Sequence, residues 1–248
     1  MKRLLLAVVC CVIVGSLSAA DAPKKRKAPR GAWRDGGPIE VPNSQKGKIA
    51  IVNAQKKVPL ADYRAPLDEF AKEYKYNVQF AECSEVSPKT ASDEMKKAGA
   101  QIAVFLTECK ECPLTMLVAP DAKWAIVNVE ALTKDAKNEI FAAARTRKAL
   151  MRAFLCAAGA MDSQYPGSMM SSIKEPADLD KIVEDPPVDA IMRAFNSMKV
   201  AGVTPTEITS YRVACQQGWA PKPTTDYQQK MWDQVHAIPT KPITIEKK

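Results

Sequence analysis

The feature that most constrains the fold is a change in the order of predicted strands and helices near residue 114. Before it, apolar strands alternate with helices, and this order predicts a parallel sheet. After it, the apolar segments Leu114–Val118 and Trp124–Val129 are separated by only five residues, which predicts an edge hairpin. The sequence therefore predicts an α/β (α+β) domain with a mixed sheet. The segments of the parallel part are the strands Ile49–Val52, Val78–Phe80 and Ile102–Leu106 and the helices Tyr63–Tyr74 and Ser87–Lys97.

A long helix is predicted directly after the hairpin. We expect it to run from Asp135 to about Ala158 and to end at Gly159, because glycine commonly follows a helix C-terminus. One side of this helix is apolar. The other side carries a basic stripe at spacings of three and four, which is the spacing of one helical face. The basic members of this stripe are Arg145, Lys148 and Arg152, and the stripe ends in the thiol of Cys156.

The order of these elements resembles that of the metzincin metallopeptidases, whose motif is H-E-x-x-H-x-x-G-x-x-H followed by a Met-turn. The archaemetzincin-like branch, in which the motif continues as H-C-x-x-x-x-C-x-M, is most similar in spacing. The resemblance is one of order and spacing more than identity. The register of the motif holds from Arg152 to Met170, with two identities, Gly159 at the motif glycine and Met170 at the Met-turn. It implies a zincin-like fold for residues 48–170.

The same resemblance assigns the other motif positions residue by residue. Arg152 stands at the first zinc histidine, Cys156 at the second, and Asp162 at the third ligand. Ala153 stands where the family has its general-base glutamate. An arginine is a permanent cation that repels Zn²⁺, and an alanine transfers no proton. We therefore expect no metal, no cofactor and no catalytic residue here, and we expect Arg152 to bind a carboxylate, either that of Asp162 or that of a ligand.

The composition excludes several other classes of enzyme. The chain has 248 residues, of which 46% are hydrophobic and 26% are charged, as in a folded protein of one large domain or two small ones. It contains no G-x-G-x-x-G, G-x-x-x-x-G-K-[ST] or G-x-S-x-G motif, which removes the usual signatures of dinucleotide, nucleoside-triphosphate and serine-hydrolase sites. His236 is the single histidine, so sites built on two or three histidines are excluded.

The first 47 residues predict export and a basic arm. Residues 1–20 have a basic start, an apolar run and small residues, which predict a signal peptide cleaved near Ala20 and a secreted or periplasmic protein, a retained anchor being the alternative. Cleavage removes Lys2 and Arg3 and no acid, so the net charge falls from +8 to +6. Residues 21–47 are basic and rich in proline and glycine, which predicts disorder. This arm is either a solvated linker or a tether to an acidic polymer or membrane surface, and no specific nucleic-acid binding is predicted.

Five cysteines follow the predicted signal peptide. The Cys109-x-x-Cys112 pair lacks a second pair or a histidine partner for zinc, so we expect a local disulfide. Because five is odd, at least one thiol stays free or pairs with another chain, and we expect Cys156 to be free.

Residues 171–248 predict a helical C-terminal subdomain packed on the sheet domain. One helix is expected to bury Val188, Ile191, Met192, Phe195 and Met198. A capping box at Thr204–Glu207 predicts a second helix, and Thr224 is expected to cap a last one ending near His236. The aromatic residues of this part, Trp219, Tyr227 and Trp232, predict either a ligand surface or anchors that hold the terminal helix to the core.

Three functions are consistent with these patterns. The first is a secreted, non-catalytic protein that resembles a metallopeptidase and binds a peptide or an anionic group in a former active-site cleft. The second is a cationic, envelope-associated module for acidic polymers, which would use the basic arm and the basic stripe. The third is a hydrolase that uses Cys156, although no base stands at a fixed spacing from it.

Overall fold

A computed structural model of the protein describes residues 35–56, 58–112 and 115–238. The predicted signal peptide and most of the basic arm lie outside these residues. The described chain divides into two compact units, a larger one of Ile39–Thr209 and a smaller one whose described residues are 35–38 and 210–238. The predicted domain boundary lay after Met170, whereas this division lies after Thr209. In the described part of the chain, no helix is long and apolar enough to span a bilayer.

The larger unit is built on a five-stranded mixed sheet, as the sequence predicts. Its strands are β2 (Ile49–Ala54), β3 (Val78–Cys83), β4 (Ile102–Thr107), β5 (Met116–Ala119) and β6 (Trp124–Asn128). The strand order is β3-β2-β4-β6-β5, and only the β5–β6 pair is antiparallel. The predicted hairpin is therefore confirmed, and it places β5 at the edge of the sheet. Two further short strands, β1 (Pro38–Glu40) and β7 (Ile208–Ser210), form a separate two-stranded sheet.

Helices cover both faces of the five-stranded sheet. They are α1 (Leu60–Tyr74), α2 (Ala91–Lys97), α3 (Val129–Thr133), α4 (Glu139–Ala157), a 3-10 turn at Pro176–Asp180, and α5 (Val188–Val200). Because side chains alternate along a strand, Ile51 and Val104 face the cluster that contains α1 and α4, while Val52 and Phe105 face the cluster that contains α2. The central strands β2, β4 and β6 are fully buried, as expected for strands covered on both faces.

The long helix α4 begins later than predicted, and its start has a local cause. The side chain of Asn138 accepts a hydrogen bond from the backbone N–H of Phe141, which caps the helix at this point. The helix ends before Gly159, which has a φ of +96°. A β-carbon at Gly159 would lie 2.7 Å from Oγ of Ser197, so both the backbone conformation and the close approach of α5 require glycine. The predicted end of the helix is confirmed.

Two local predictions for the segment after residue 187 are wrong in part or in full. In α5, Met198 is buried and Phe195 packs against the core as predicted, but Val188 and Met192 are exposed, and Ala190 and Ala194 are buried in their place. The predicted capping box starts no helix. The backbone of Thr204 instead pairs with that of Lys46 in an isolated antiparallel bridge. Hydrogen bonds to a distant segment thus replace the local capping interaction in this part of the chain.

The smaller unit contains two short helices, α6 (Tyr211–Gln216) and α7 (Asp226–His236). Helix α7 is capped by Thr225 rather than by the predicted Thr224, since the Thr225 side chain accepts from the N–H of Gln228. Arg212 connects the two helices by donating to Oε1 of Gln234, and it also forms an ion pair with Asp35. Helix α6 corresponds to the second helix predicted for the C-terminal part. It begins after Ser210, later than predicted, and is therefore shorter.

Candidate functional site

A cleft of about 490 Å³ lies in the larger unit between the edge strand β5 and the C-terminal half of α4. Its size is that of a typical small-ligand pocket. Strand β5 forms one wall and contributes Met116 and Val118, which point to the α4 side of the sheet because they alternate with Leu117. Strand β5 is an edge strand, since in the described sheet it pairs with β6 alone.

Arg152 is the charged residue of α4 that lines this cleft. Its Nη1 donates to the carbonyl of Met169 at 2.8 Å, and its Nη2 donates to Oδ1 of Asp162 at 2.6 Å. The residue is 2% exposed, and its Nε has no hydrogen-bond partner, the one such buried side-chain atom found in the described residues. The guanidinium thus has two of its three nitrogens engaged by the loop that follows α4.

Cys156 lies one helical turn after Arg152 and also lines the cleft. Burial raises the pKa of its thiol to about 11, and the charge of Arg152 only partly offsets this effect. The thiol is therefore protonated near neutral pH, and a protonated thiol is a poor nucleophile. It is a free cysteine, as the sequence predicts, together with Cys83 and Cys215.

The turn after α4 carries the third residue of the predicted site. The backbone N–H of Ser163 donates to the carbonyl of Met170, and this bond closes the loop that positions the exposed side chain of Asp162 against Arg152. Asp162 is 58% exposed at its side chain. Met170 is fully buried in the same core as α4, and so is Ala153. The structure thus brings Arg152, Cys156 and Asp162 together and places Ala153 and Met170 behind them.

The rest of the basic stripe is not a surface for acidic polymers. Arg145 is almost fully buried and donates through Nε and Nη2 to the two carboxylate oxygens of Asp180. Lys148 donates to the carbonyls of Leu179 and Ile182. These two side chains lie against residues 179–182, which fold back over α4, so their polar atoms are hydrogen-bonded within the protein. The interpretation of the stripe as part of a polymer-binding face is therefore wrong.

The cleft does not have the donor set of a zinc site. Among the residues that line it, only Cys156 and Asp162 are of ligand type, and Asp162 is paired with a guanidinium. No group of three histidine, cysteine, aspartate or glutamate side chains suited to a metal ion occurs in residues 35–56, 58–112 and 115–238. Structural zinc normally needs four protein ligands and catalytic zinc three, so the side chains present do not fit zinc.

Sequence reasoning missed one wall of the cleft. Ser172 and Ile173 line it from the segment after Met170, a segment that the sequence analysis assigned only to a helical subdomain. A run such as Ser171-Ser172-Ile173 has neither a helical nor a strand period, so no local signal indicated its place. Its position follows from the contacts that the basic stripe makes with residues 169–182.

The predicted disulfide pair, Cys109 and Cys112, is not among the residues that line this cleft. The disulfide between Cys109 and Cys112 is confirmed, and Asn128 fixes it by hydrogen bonds to the backbone N–H and carbonyl of Cys109. In the smaller unit, Trp232 stacks on His236 with ring centroids 4.2 Å apart.

The three aromatic residues proposed as a ligand surface do not form one cluster of rings. Tyr227 is exposed and Trp219 is half-buried, with its indole N–H bonded to Gln217. No ring contact joins Trp219, Tyr227 and Trp232 within the described part of the smaller unit. The aromatic surface therefore stays a prediction.

Comparison with solved structures identifies the architecture. The archaemetzincin of Methanopyrus kandleri superposes with a TM-score of 0.50 at 15% identity, over 64% of this chain and 99% of that one. A zinc-dependent peptidase of Methanocorpusculum labreanum gives a TM-score of 0.45 at 13% identity, over 59% and 99% of the two chains. The archaemetzincin of Archaeoglobus fulgidus, in complex with malonate, gives 0.43 at 14% identity, over the same shares. No family model and no curated protein matches the chain.

The likeness to the first of these structures extends over almost all of that peptidase, at an identity that shows the fold alone. The resemblance expected from the order of elements is confirmed at the level of architecture. The larger unit, with its mixed sheet, its edge strand and the long helix behind the cleft, therefore has the zincin-like fold of an archaemetzincin.

Proposed function

We propose that this protein is a non-catalytic binding protein on a metallopeptidase fold, and that it takes an extended peptide into the cleft between β5 and α4. The observation that supports this proposal most directly is the Arg152–Asp162 ion pair, which occupies the cleft where the motif of the resembled family would place two zinc ligands. The cleft is retained while the residues in it have a different chemistry.

The chemistry of the cleft argues against hydrolysis by either of the mechanisms considered. A zinc mechanism needs ligands with available lone pairs, and a guanidinium has none at any relevant pH. Ala153 is buried and carries no titratable group, so it replaces no general base. A thiol mechanism needs a thiolate, and Cys156 has its pKa raised to about 11 by burial.

The shape of the cleft favours an extended peptide. An edge strand offers unpaired backbone N–H and carbonyl groups, and a peptide added beside it completes the ladder. Met116 and Val118 present apolar side chains at the spacing of alternate residues, which suits a peptide whose own side chains alternate. The ion pair of Arg152 and Asp162 supplies polar contacts within the same cleft.

Export after signal-peptide cleavage near Ala20 is part of the same proposal. The Cys109–Cys112 disulfide supports it, because disulfides form and persist mainly in oxidising compartments. Attachment of residues 21–47 to an acidic polymer or membrane surface remains an alternative role for the arm, and it would be additional to the cleft.

Metal content is the first test of the proposal. We expect the purified protein to contain no stoichiometric zinc by elemental analysis and to release no product from a peptide substrate when zinc is added. Finding one zinc per chain that EDTA removes and that is lost in Cys156→Ser would overturn the proposal.

Peptide binding is the second test. An array of short random-sequence peptides should retain the labelled protein, and N-methylated copies of the retained peptides should not, because they cannot pair with β5. Val118→Trp fills the cleft and should abolish retention. Leu117→Trp is the matched control, since its side chain points to the other face of the sheet. Equal retention by both variants, once each is shown to be folded, would place the binding elsewhere.

A further inference from the structure

The Arg152–Asp162 pair has the geometry of an incomplete carboxylate site. A carboxylate is held most strongly by an arginine when two parallel N–H groups donate to its two oxygens. In this pair only Nη2 donates, to Oδ1, while Nε of the buried guanidinium has no partner. Asp162 therefore satisfies only part of the donor capacity of Arg152.

Arg145, on the same helix, shows the complete arrangement. Its Nε and Nη2 donate to Oδ1 and Oδ2 of Asp180 at 2.9 and 2.7 Å. The side chain of Asp180 is 22% exposed, whereas that of Asp162 is 58% exposed. Asp162 can leave Arg152 for water at a low cost in solvation because most of its surface is already hydrated.

We propose that Asp162 occupies, in the free protein, the place that the C-terminal carboxylate of a bound peptide takes. This inference rests on the proposed function and names its ligand class: extended peptides with a free C-terminus. The peptide pairs with β5, its terminal carboxylate accepts from Nε and Nη2 of Arg152, and Asp162 turns to the solvent. The unpartnered Nε gains its acceptor only in the complex.

The dimensions of the site favour the end of a peptide over its middle. Strand β5 has four residues, so it pairs with only a short stretch of peptide. Arg152 is 2% exposed and lines the cleft. A chain terminus can reach such a buried group without the rest of the chain having to pass it. Backbone pairing with an edge strand and capture of a terminal carboxylate are established modes of peptide recognition that this site places side by side.

The test compares matched pools of short random-sequence peptides that end in a free acid or in an amide. We expect the native protein to bind the acid pool about tenfold more tightly than the amide pool, as charge-assisted hydrogen bonds predict. Asp162→Ala should strengthen binding of the acid pool by about fivefold, because it removes the internal competitor, and it should leave the amide pool unchanged. Arg152→Gln should remove the preference for the acid.

Glu184→Ala is the matched control for Asp162→Ala. It removes an acid that pairs with Arg147, another arginine of α4, outside the residues that line the cleft. It changes the net charge by the same amount and should alter neither pool. An equal gain in both variants would show a general charge effect and overturn the inference.

Two outcomes separate the inference from the proposed function. If acid and amide pools bind equally and Asp162→Ala changes neither, peptide binding stands and the carboxylate site is wrong. If neither pool binds, the proposed function itself fails. Should Arg152→Gln not fold, the Nε–H signal of Arg152 in the native protein replaces it, since the acid pool should shift this signal and the amide pool should not. An acid pool that binds without shifting the signal would overturn the inference.

Discussion

Two buried arginines lie seven residues apart on α4, and they differ in how completely the protein surrounds them. Arg145 has all three nitrogens engaged, two by Asp180 and one by the carbonyl of Leu132. Arg152 has one nitrogen without a partner and an aspartate that is mostly in water. The same residue type on the same helix therefore serves as a structural ion pair in one place and as a lining of a cleft in the other.

The enclosed pair of Arg145 and Asp180 also shifts the pKa of both of its members. Hydrogen bonding to Arg145 lowers the pKa of Asp180 below its ordinary value, and the same bonds raise the pKa of Arg145. Both shifts mean that the folded state favours the charged forms of the two groups, so the pair stabilises the folded state. Burial of the guanidinium is common to both sites, so the degree to which the carboxylate is enclosed distinguishes a structural pair from a displaceable one.

The largest effect is expected when the enclosed pair is broken. Asp180→Ala leaves the guanidinium of Arg145 buried without its anion and should lower the free energy of unfolding by about 3 to 4 kcal/mol. Urea titrations followed by circular dichroism measure this change. In the native protein, the lowered pKa of Asp180 adds stability at pH values above the ordinary pKa of an aspartate. This stability is lost as the pH falls through the pKa that Asp180 has in the folded state. A loss below about 1 kcal/mol would erase the contrast between the two arginines.

The next effect concerns the thiol beside Arg152. The folded pKa of Cys156 is raised from 9.0 to about 11, so the unfolded chain loses this proton first as the pH rises. The stability from the protonated thiol is complete below about pH 9 and is lost progressively up to about pH 11. The free energy of unfolding of the native protein should fall by about 2 to 3 kcal/mol over this range, and that of Cys156→Ala should fall by less. Identical slopes for both proteins would show that Arg152 stabilises the thiolate as much as burial opposes it, and would contradict the raised pKa.

The smallest effect is expected from the open pair. Asp162→Ala should change the free energy of unfolding by less than about 1 kcal/mol, because the lost carboxylate is mostly solvated. The measurement is the same urea titration, run beside Asp180→Ala. A loss as large as that of Asp180→Ala would make Asp162 a structural residue and would remove the basis for its displacement by a ligand.

The sequence predicted the elements whose signals are local. The five-residue gap before Trp124 indicated the hairpin, and Gly159 indicated the end of α4. Spacing on one helical turn also placed Arg152 and Cys156 on one face, and the structure shows both lining the cleft. These features depend on turn length, backbone conformation and helical period, which a short stretch of sequence determines.

The features that were missed depend on distant parts of the chain. The capping box at Thr204–Glu207 failed because Lys46 pairs with Thr204 across a long stretch of sequence. The burial of the basic stripe was not predicted, because its hydrogen-bond acceptors lie in a segment without a periodic pattern. Asp180 and the carbonyl of Met169 are two of these acceptors. A charged stripe on a helix has the same appearance in sequence whether water or folded chain covers it.

Gly159, which follows α4, has a structural role that is independent of any reaction. Its left-handed backbone and its contact with Ser197 belong to the junction of two helices, and neither involves the side chains of the cleft. Substitutions at positions 152, 156 and 162 would therefore leave the constraint at Gly159 unchanged. A glycine at this place in a chain is a marker of architecture, and the presence or loss of an activity has to be inferred from the residues on either side of it.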